Sequence, residues 1–220
     1  MINHHIQKHI IGVLIHQKYA RFRDLRPPRV DTNLYSYHLK MLQKDGWVKK
    51  TDEGYTLTQD GLAYVDRVSI DKLNVRSQPK IISMLVVQNS EGDVLLMQRN
   101  KQPYIDTWTL PYGKTHIEDA TILDSAKREW REKIGGEPAS IVQAGDRYIR
   151  VRQADQIISS TLVHVFYVTD DEVTTHENLQ WVRPHKLSRY DLAPAVEQVV
   201  ARTFFRDPYF FEEFEENWQQ

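Results

Sequence analysis

Cysteine is absent from the 220-residue chain. Its absence excludes disulfides, zinc–thiolate centres and a thiol nucleophile, and it fits a reducing, cytoplasmic setting. No apolar run reaches the length of a membrane span, and hydrophobic residues make up 40% of the total. The expectation is a soluble globular protein with no membrane partner. The opening stretch MINHHIQKHIIGVLIHQ is broken by His, Gln and Lys and lacks a small-residue cleavage site, so it is not read as a signal peptide. There is no glycine-rich phosphate loop and no defensible Ser/His/Asp set. The nine histidines do not fall at metal-ligand spacing. Of these, His4, His5 and His9 are expected in solvent and His164 packed within a strand.

Charge of neither sign dominates overall, with a net of -1, but the balance differs along the chain. Residues 1–79 carry 13 Lys+Arg against 8 Asp+Glu, and the remainder carries 16 against 22. A basic first third joined to an acidic remainder points to two domains with different partners. The reading is 1–70 for the first domain, 71–80 for a polar linker, 81–206 for the second domain and 207–220 for an acidic, aromatic tail.

In the first domain, Ile6, Ile10, Val13 and Leu14 recur at helical spacing and predict a helix over 2–19. Phe22 to Leu25 fits a short second helix, ended by Pro27-Pro28. Asp31 or Thr32 caps a third helix running to Lys44, with Asp45-Gly46 as its exit. Its two faces are sorted: Tyr35, Leu39 and Leu42 on one, Asn33, Tyr37, Lys40 and Lys44 on the other. A hairpin follows, Trp47–Lys50 and Tyr55–Thr58 about the turn Asp52-Glu53-Gly54, and then a helix to Val68. The segment YSYHLKMLQKDGWVKKTDEGYTLTQDG resembles the winged helix-turn-helix of bacterial transcription regulators. That resemblance implies duplex DNA as partner. Asn33 and Tyr37 would then meet base edges, and Arg29, Lys40, Lys44, Lys49 and Lys50 would meet phosphates. The alternative is a protein-binding or dimerisation module whose cations merely solvate its surface.

In the second domain, Ile81–Val87 reads as a buried strand and Val94–Met97 as its neighbour. Further strands are expected at 141–144, 148–151, 157–168 and 179–182, and a helix at 194–205 bears Val196, Val199, Val200 and Phe204. Asp207-Pro208 is a helix-start signal, after which Phe211, Phe214 and Trp218 share a face among glutamates. That apolar stripe suits packing on its own domain or on a twin subunit, hence a homodimer.

The central stretch is WTLPYGKTHIEDATILDSAKREWREKIGG, residues 108–136. Ile122, Leu123, Ala126, Trp130 and Ile134 form the apolar stripe of a helix stopped by Gly135 and Gly136. Arg128-Glu129-Trp130-Arg131-Glu132 on that helix resembles the Nudix box, G-x5-E-x7-R-E-U-x-E-E-x-G-U with U a bulky aliphatic residue. Leu110-Pro111-Tyr112-Gly113-Lys114 is similar to the family's preceding turn. The resemblance implies an α/β/α sandwich, here preceded by a small α+β winged-helix domain. It also implies a nucleotide-type ligand bordered by Arg99, Trp108, Gly113, Lys114 and Arg128, although a core role is the plainer reading of Trp108. Glu129 and Glu132 would be the catalytic, magnesium-holding pair if the protein hydrolyses its ligand.

The box departs from its pattern. Counting back from Arg128 puts Ala120 and Lys114 where the family has glutamate and glycine, and a one-residue insertion would bring in Asp119 and Gly113 instead. Lys133 stands where the last glutamate belongs. Either Lys133 pairs with Glu129 as a tethered cation, or a magnesium site is rebuilt from Glu129, Glu132 and a carboxylate elsewhere. The resulting expectation is a DNA-binding regulator that holds a nucleoside-diphosphate derivative as effector with little hydrolysis, needing magnesium only if active. A magnesium-dependent pyrophosphohydrolase is the enzymatic alternative, and a protein-binding scaffold a third.

Overall fold

The computed structural model describes residues 2, 4–69, 77–204 and 210–217. It divides into two compact units, Met1–Ser77 and Gln78–Gln220. The expected linker falls mostly outside the described residues, and at its end Lys80 already opens a strand.

The first unit is built on α1 (His5–His16) and α2 (Thr32–Lys44), followed by β1 (Val48–Lys50), β2 (Tyr55–Leu57) and α3 (Gln59–Arg67). Helix α1 is shorter than its apolar periodicity suggests because the His4 ring caps it, accepting from the Ile6 N–H, and Gln17 is extended. His4 stacks on the buried His38 with ring centroids 3.8 Å apart, so His4 is half-buried, as is His9. The expected second helix is a single turn, with the Asp24 and Leu25 N–H groups on the Arg21 carbonyl. Pro27 and Pro28 lack the N–H groups that would continue it. Helix α2 keeps its expected bounds: Asp31 accepts from the Asn33 and Leu34 N–H groups at 2.8 and 3.2 Å, and Gly46 leaves the helix at φ +79°. Ile6, Ile10, Tyr35, Leu39, Leu42 and Val48 close the core of this unit.

The second unit is one eight-stranded mixed sheet with a helix on each face. Its strands are β3 (Lys80–Gln88), β4 (Val94–Gln98), β5 (Trp108–Thr109), β6 (Tyr112–Lys114), β7 (Val142–Gln153), β8 (Gln156–Thr169), β9 (Leu179–Val182) and β10 (Phe210–Asn217). Helix α4 (Ile122–Lys133) follows β6, and α5 (Val196–Phe204) follows a 3₁₀ turn at Pro184–Arg189. The main path runs β10-β7-β8-β3-β4-β5, with β6 paired to β3 and β9 to β4. Alternate residues of β3 face opposite helices. Ile82, Met84 and Val86 pack with Val196, Val199 and Val200 of α5. Leu85 and Val87 pack with Ala126 and Trp130 of α4. Covered on both faces, β3 can be apolar almost throughout. The sandwich is α/β/α, as expected.

Three local expectations change. The strands read at 141–144 and 148–151 are one strand, β7, because Gly145, Asp146 and Arg147 stay in register with β8 past a bulge at Ala144. Leu123 points partly to solvent, at 37% exposure, rather than into the α4 stripe. The tail is not helical: β10 runs parallel to β7 as an edge strand. Its helix-start signal, Asp207-Pro208, lies outside the described residues, and beyond it β10 brings a carboxylate to Arg147, which is only 2% exposed on β7. Glu212 meets it at 2.6 Å, and Phe214 lies against its guanidinium. Trp218 lies outside the described residues.

Candidate functional site

Helix α4 is fixed at both ends. Thr121 accepts from the Asp124 N–H and donates to its carboxylate, and Gly135 exits at φ +98° with its N–H on the Trp130 carbonyl. Trp130 anchors one face in the core, which turns Arg128 and Glu129 towards the β6 turn. Arg128 there gathers three carboxylates. It donates to both oxygens of Asp119 at 2.9 Å, to Glu129 Oε1 at 2.6 Å and to Glu132 Oε1 at 3.3 Å. A further bond at 2.8 Å goes to the Lys114 carbonyl. Arg128 holds the Asp119 carboxyl well below the usual carboxylate range, and the three acids raise the guanidinium's pKa in return.

Glu129 is 2% exposed and is pressed onto Gly113, where an added Cβ would lie 2.0 Å from its carboxylate atoms. Of the two registers open in the sequence, therefore, it is the Gly113 backbone and the Asp119 side chain that meet the helix; Ala120 is exposed. The Glu129 Oε2 atom is buried and accepts no hydrogen bond. The expected Glu129–Lys133 pair is not formed. Arg128, whose planar fork reaches three acids at once, has taken the carboxylate.

Beside this cluster lies a cavity of about 800 Å³. Five cations line it, Lys80, Arg99, Lys101, Lys114 and Lys133, against two carboxylates, Glu129 and Glu132. Ile82, Met84, Ile149, Val151 and Val163 supply an apolar wall. Arg99 is held in place: its Nε donates to the Pro103 carbonyl at 2.9 Å, Nη2 to the Lys101 carbonyl at 3.3 Å and Nη1 to the Tyr112 hydroxyl. Burial raises the Tyr112 and Tyr104 pKa values, so both remain neutral donors at the cavity wall.

Among the ligand-contact expectations, Arg99, Gly113 and Lys114 line this cavity. Arg128 and Trp108 do not. Arg128 is committed to the carboxylates beneath the wall, and Trp108 packs edge-on against Tyr190 at 5.7 Å with its backbone tied to Asp191 and Ala193. Lys80, Lys101, Tyr104 and Tyr112 line the cavity as well. A charge at the head of the apolar strand β3 is the signal for Lys80, and Tyr112 stands within the family-like turn; nothing local marks Lys101 and Tyr104.

In the first unit, Asn33, Tyr37, Lys40 and Lys44 stand exposed on α2, Lys49 and Lys50 on β1, and Arg29 on the preceding turn. No carboxylate among the described residues forms an ion pair with any of these five cations.

Comparison with known proteins places this geometry. The family model described as NUDIX domain matches residues 78–203. No curated protein matches the chain. Among solved structures, the chain is similar to the mutator MutT protein from Bacillus halodurans, at 20% identity over 62% of this chain and 89% of that one, with a TM-score of 0.51. It is also similar to the Nudix domain of NrtR from Shewanella oneidensis complexed with ADP-ribose, at 16% identity over 68% of this chain and 99% of that one, with a TM-score of 0.50. At these identities the likeness is one of fold.

Proposed function

The chain belongs to the Nudix family, and from that premise we propose a DNA-binding transcriptional regulator whose second unit holds a nucleoside-diphosphate derivative as effector with little or no hydrolysis. ADP-ribose, the ligand of the NrtR domain, is the first compound to try. The observation that carries the reading is the charge of the cavity: five cations against two carboxylates, both of which already touch Arg128. Such a wall attracts a diphosphate directly. The first unit supports the DNA half. Two helices, a turn, a hairpin and a third helix follow the order of a winged helix, in which α2 would enter the major groove. Its exposed cations then have phosphates to meet, and Asn33 and Tyr37 have base edges.

The family implies a magnesium ion, so the residues present must be asked whether they fit one. Magnesium takes six oxygen ligands, commonly one or two carboxylates with waters and substrate phosphates. Glu129 Oε2, buried without a donor, is suited to a cation. It is also the observation that favours the enzymatic reading. The surroundings are not suited: Glu129 Oε1 and Glu132 bond Arg128, Lys133 lines the same space, and the described residues contain no cluster of three metal-ligating side chains. The donor set does not fit a magnesium ion.

Calorimetric titration of magnesium into the wild type and Lys133→Glu tests this. The wild type is expected to bind magnesium weakly, and the variant, with a cation exchanged for a carboxylate, to bind it measurably tighter. Tight magnesium binding with robust turnover of nucleoside-diphosphate derivatives by the wild type, both abolished by Glu129→Gln, would establish the enzyme instead.

A further inference from the structure

None of the cavity's five cations forms an ion pair with a carboxylate among the described residues, and Lys80, Lys114 and Arg99 lie within one another's field. Lys80 is the first residue of β3 and is half-buried. Lys114 lies on the neighbouring strand, its residue paired with Ile82, two positions along from Lys80. Arg99 is braced by two backbone carbonyls and the Tyr112 hydroxyl, its guanidinium 5.3 Å from the centre of the Tyr112 ring. All three line the same cavity, and none forms an ion pair with a carboxylate among the described residues. Burial holds the Lys80 pKa below the ordinary lysine value, and Lys114 and Arg99 add to the effect by repulsion.

A half-buried ammonium facing two further cations destabilises the empty protein. Nothing in the core requires a charge there, since the neighbouring residues Ile82 and Met84 supply the apolar packing. The cost makes sense if the missing counter-charge arrives with a ligand. The acceptor must be multivalent to satisfy an ammonium with three donors and a planar fork at once, and phosphate oxygens do this.

We propose that Lys80, Arg99 and Lys114 form the seat for the ligand's phosphate groups, so that side-chain cations rather than a divalent metal neutralise the bound anion. The seat rests on the reading that the cavity takes a phosphate-bearing ligand, and it adds the residues that hold the phosphate and the independence from metal. Lys80 is its distinguishing member, because it is a half-buried cation at the start of a strand whose residues 82–87 are all buried.

Inorganic pyrophosphate is the probe, applied to the full chain in excess chelator and again with magnesium, with thermal unfolding and titration calorimetry as readouts. The wild type is expected to gain stability from pyrophosphate in chelator, without needing magnesium. Lys80→Gln is expected to move the two readouts in opposite directions. The unliganded variant unfolds at a higher temperature than the wild type, because a repulsive charge is gone. Its Kd for pyrophosphate is weaker by about tenfold to a hundredfold, the worth of one charge-assisted contact. Lys80→Arg, which keeps the charge, retains most of the affinity. A pyrophosphate effect that requires magnesium, an unchanged Kd in Lys80→Gln, or a fall in its unliganded stability would each overturn the seat. The underlying reading fails separately. If nucleoside-diphosphate derivatives do not bind while pyrophosphate does through Lys80, the nucleotide is wrong and the seat stands. If they bind wild type and Lys80→Gln alike, the nucleotide stands and the seat is wrong.

Discussion

Helices α2 and α4 are nearly equal in length, at 13 and 12 residues, and both end in lysine, yet they hold their charge in opposite ways. On α2 the cations Lys40 and Lys44 stand in solvent with no acid against them, while the opposite face is tied into a small core by Tyr35, Leu39 and Leu42. On α4 Arg128 is wrapped by Asp119, Glu129 and Glu132 and does not line the cavity at all. A cation left free on a surface suits a long external polyanion; a cation spent on three acids organises its own domain. In this chain Arg128 of the family box is bound to three carboxylates, while Lys80, Arg99 and Lys114 on the strands and turns around it line the cavity.

The sharpest way to break the comparison is to remove the spent cation. Arg128→Met leaves Asp119 and Glu129, with side chains 7% and 3% exposed, without their donor. Breaking a deeply buried pair costs about 3–5 kcal/mol; this cluster lies close beneath the surface, where solvent screens it, so about 2–3 kcal/mol is expected in urea unfolding at pH 7. The effect has a defined pH sign. Asp119 has a folded-state pKa below its unfolded value of about 4, so its contribution is complete above that value and is lost as pH falls from there towards the folded pKa. The stability gap between wild type and Asp119→Asn should therefore narrow below about pH 4. A gap that stays constant from pH 7 to pH 3 would mean that Arg128 does not depress this carboxyl.

A smaller effect is expected at Gly113, where the added methyl of Gly113→Ala displaces the Glu129 carboxylate from its seat against the backbone. Overpacking of this kind costs about 1–3 kcal/mol. Equal stability of the double variant Gly113→Ala/Glu129→Ala and of Glu129→Ala alone would locate the clash. The smallest effects on stability belong to α2 and the hairpin. Lys40→Ala and Lys49→Ala should leave the fold within about 0.5 kcal/mol while each lowers the salt dependence of DNA affinity by about one ion. Equal affinity for duplex DNA across wild type and both variants at low salt would remove DNA as the partner of this face.

Much of this was legible from local pattern. The caps Asp31, Thr58 and Thr121 each carry a side-chain oxygen that a helix N-terminus needs, so the starts of α2, α3 and α4 can be read from the residue type. The near-continuous apolar run from Ile81 to Val87 signalled a strand covered on both faces, which β3 is. The tail was not legible. The spacing of Phe211 and Phe214 argues for a helix, and the deciding partner is the buried Arg147, which Glu212 meets only across the folded sheet. Lys133 misled for a related reason. Helical geometry makes it a neighbour of Glu129, but Arg128 reaches the same carboxylate and two more, through a loop that α4 meets only in the folded chain.

The sequence by itself determined the two-part division of charge, the face-sorted α2, the strands β3, β4, β8 and β9 and the position of the family box, because each follows from periodicity, capping or composition within a short window. The tertiary structure alone decided which cations remain available. Coulomb attraction acts between groups brought together by folding, regardless of their separation along the chain. Asp119, Glu129 and Glu132 reach Arg128, Glu212 reaches Arg147, and Lys80, Arg99 and Lys114 come together around one cavity without forming an ion pair with any carboxylate among the described residues.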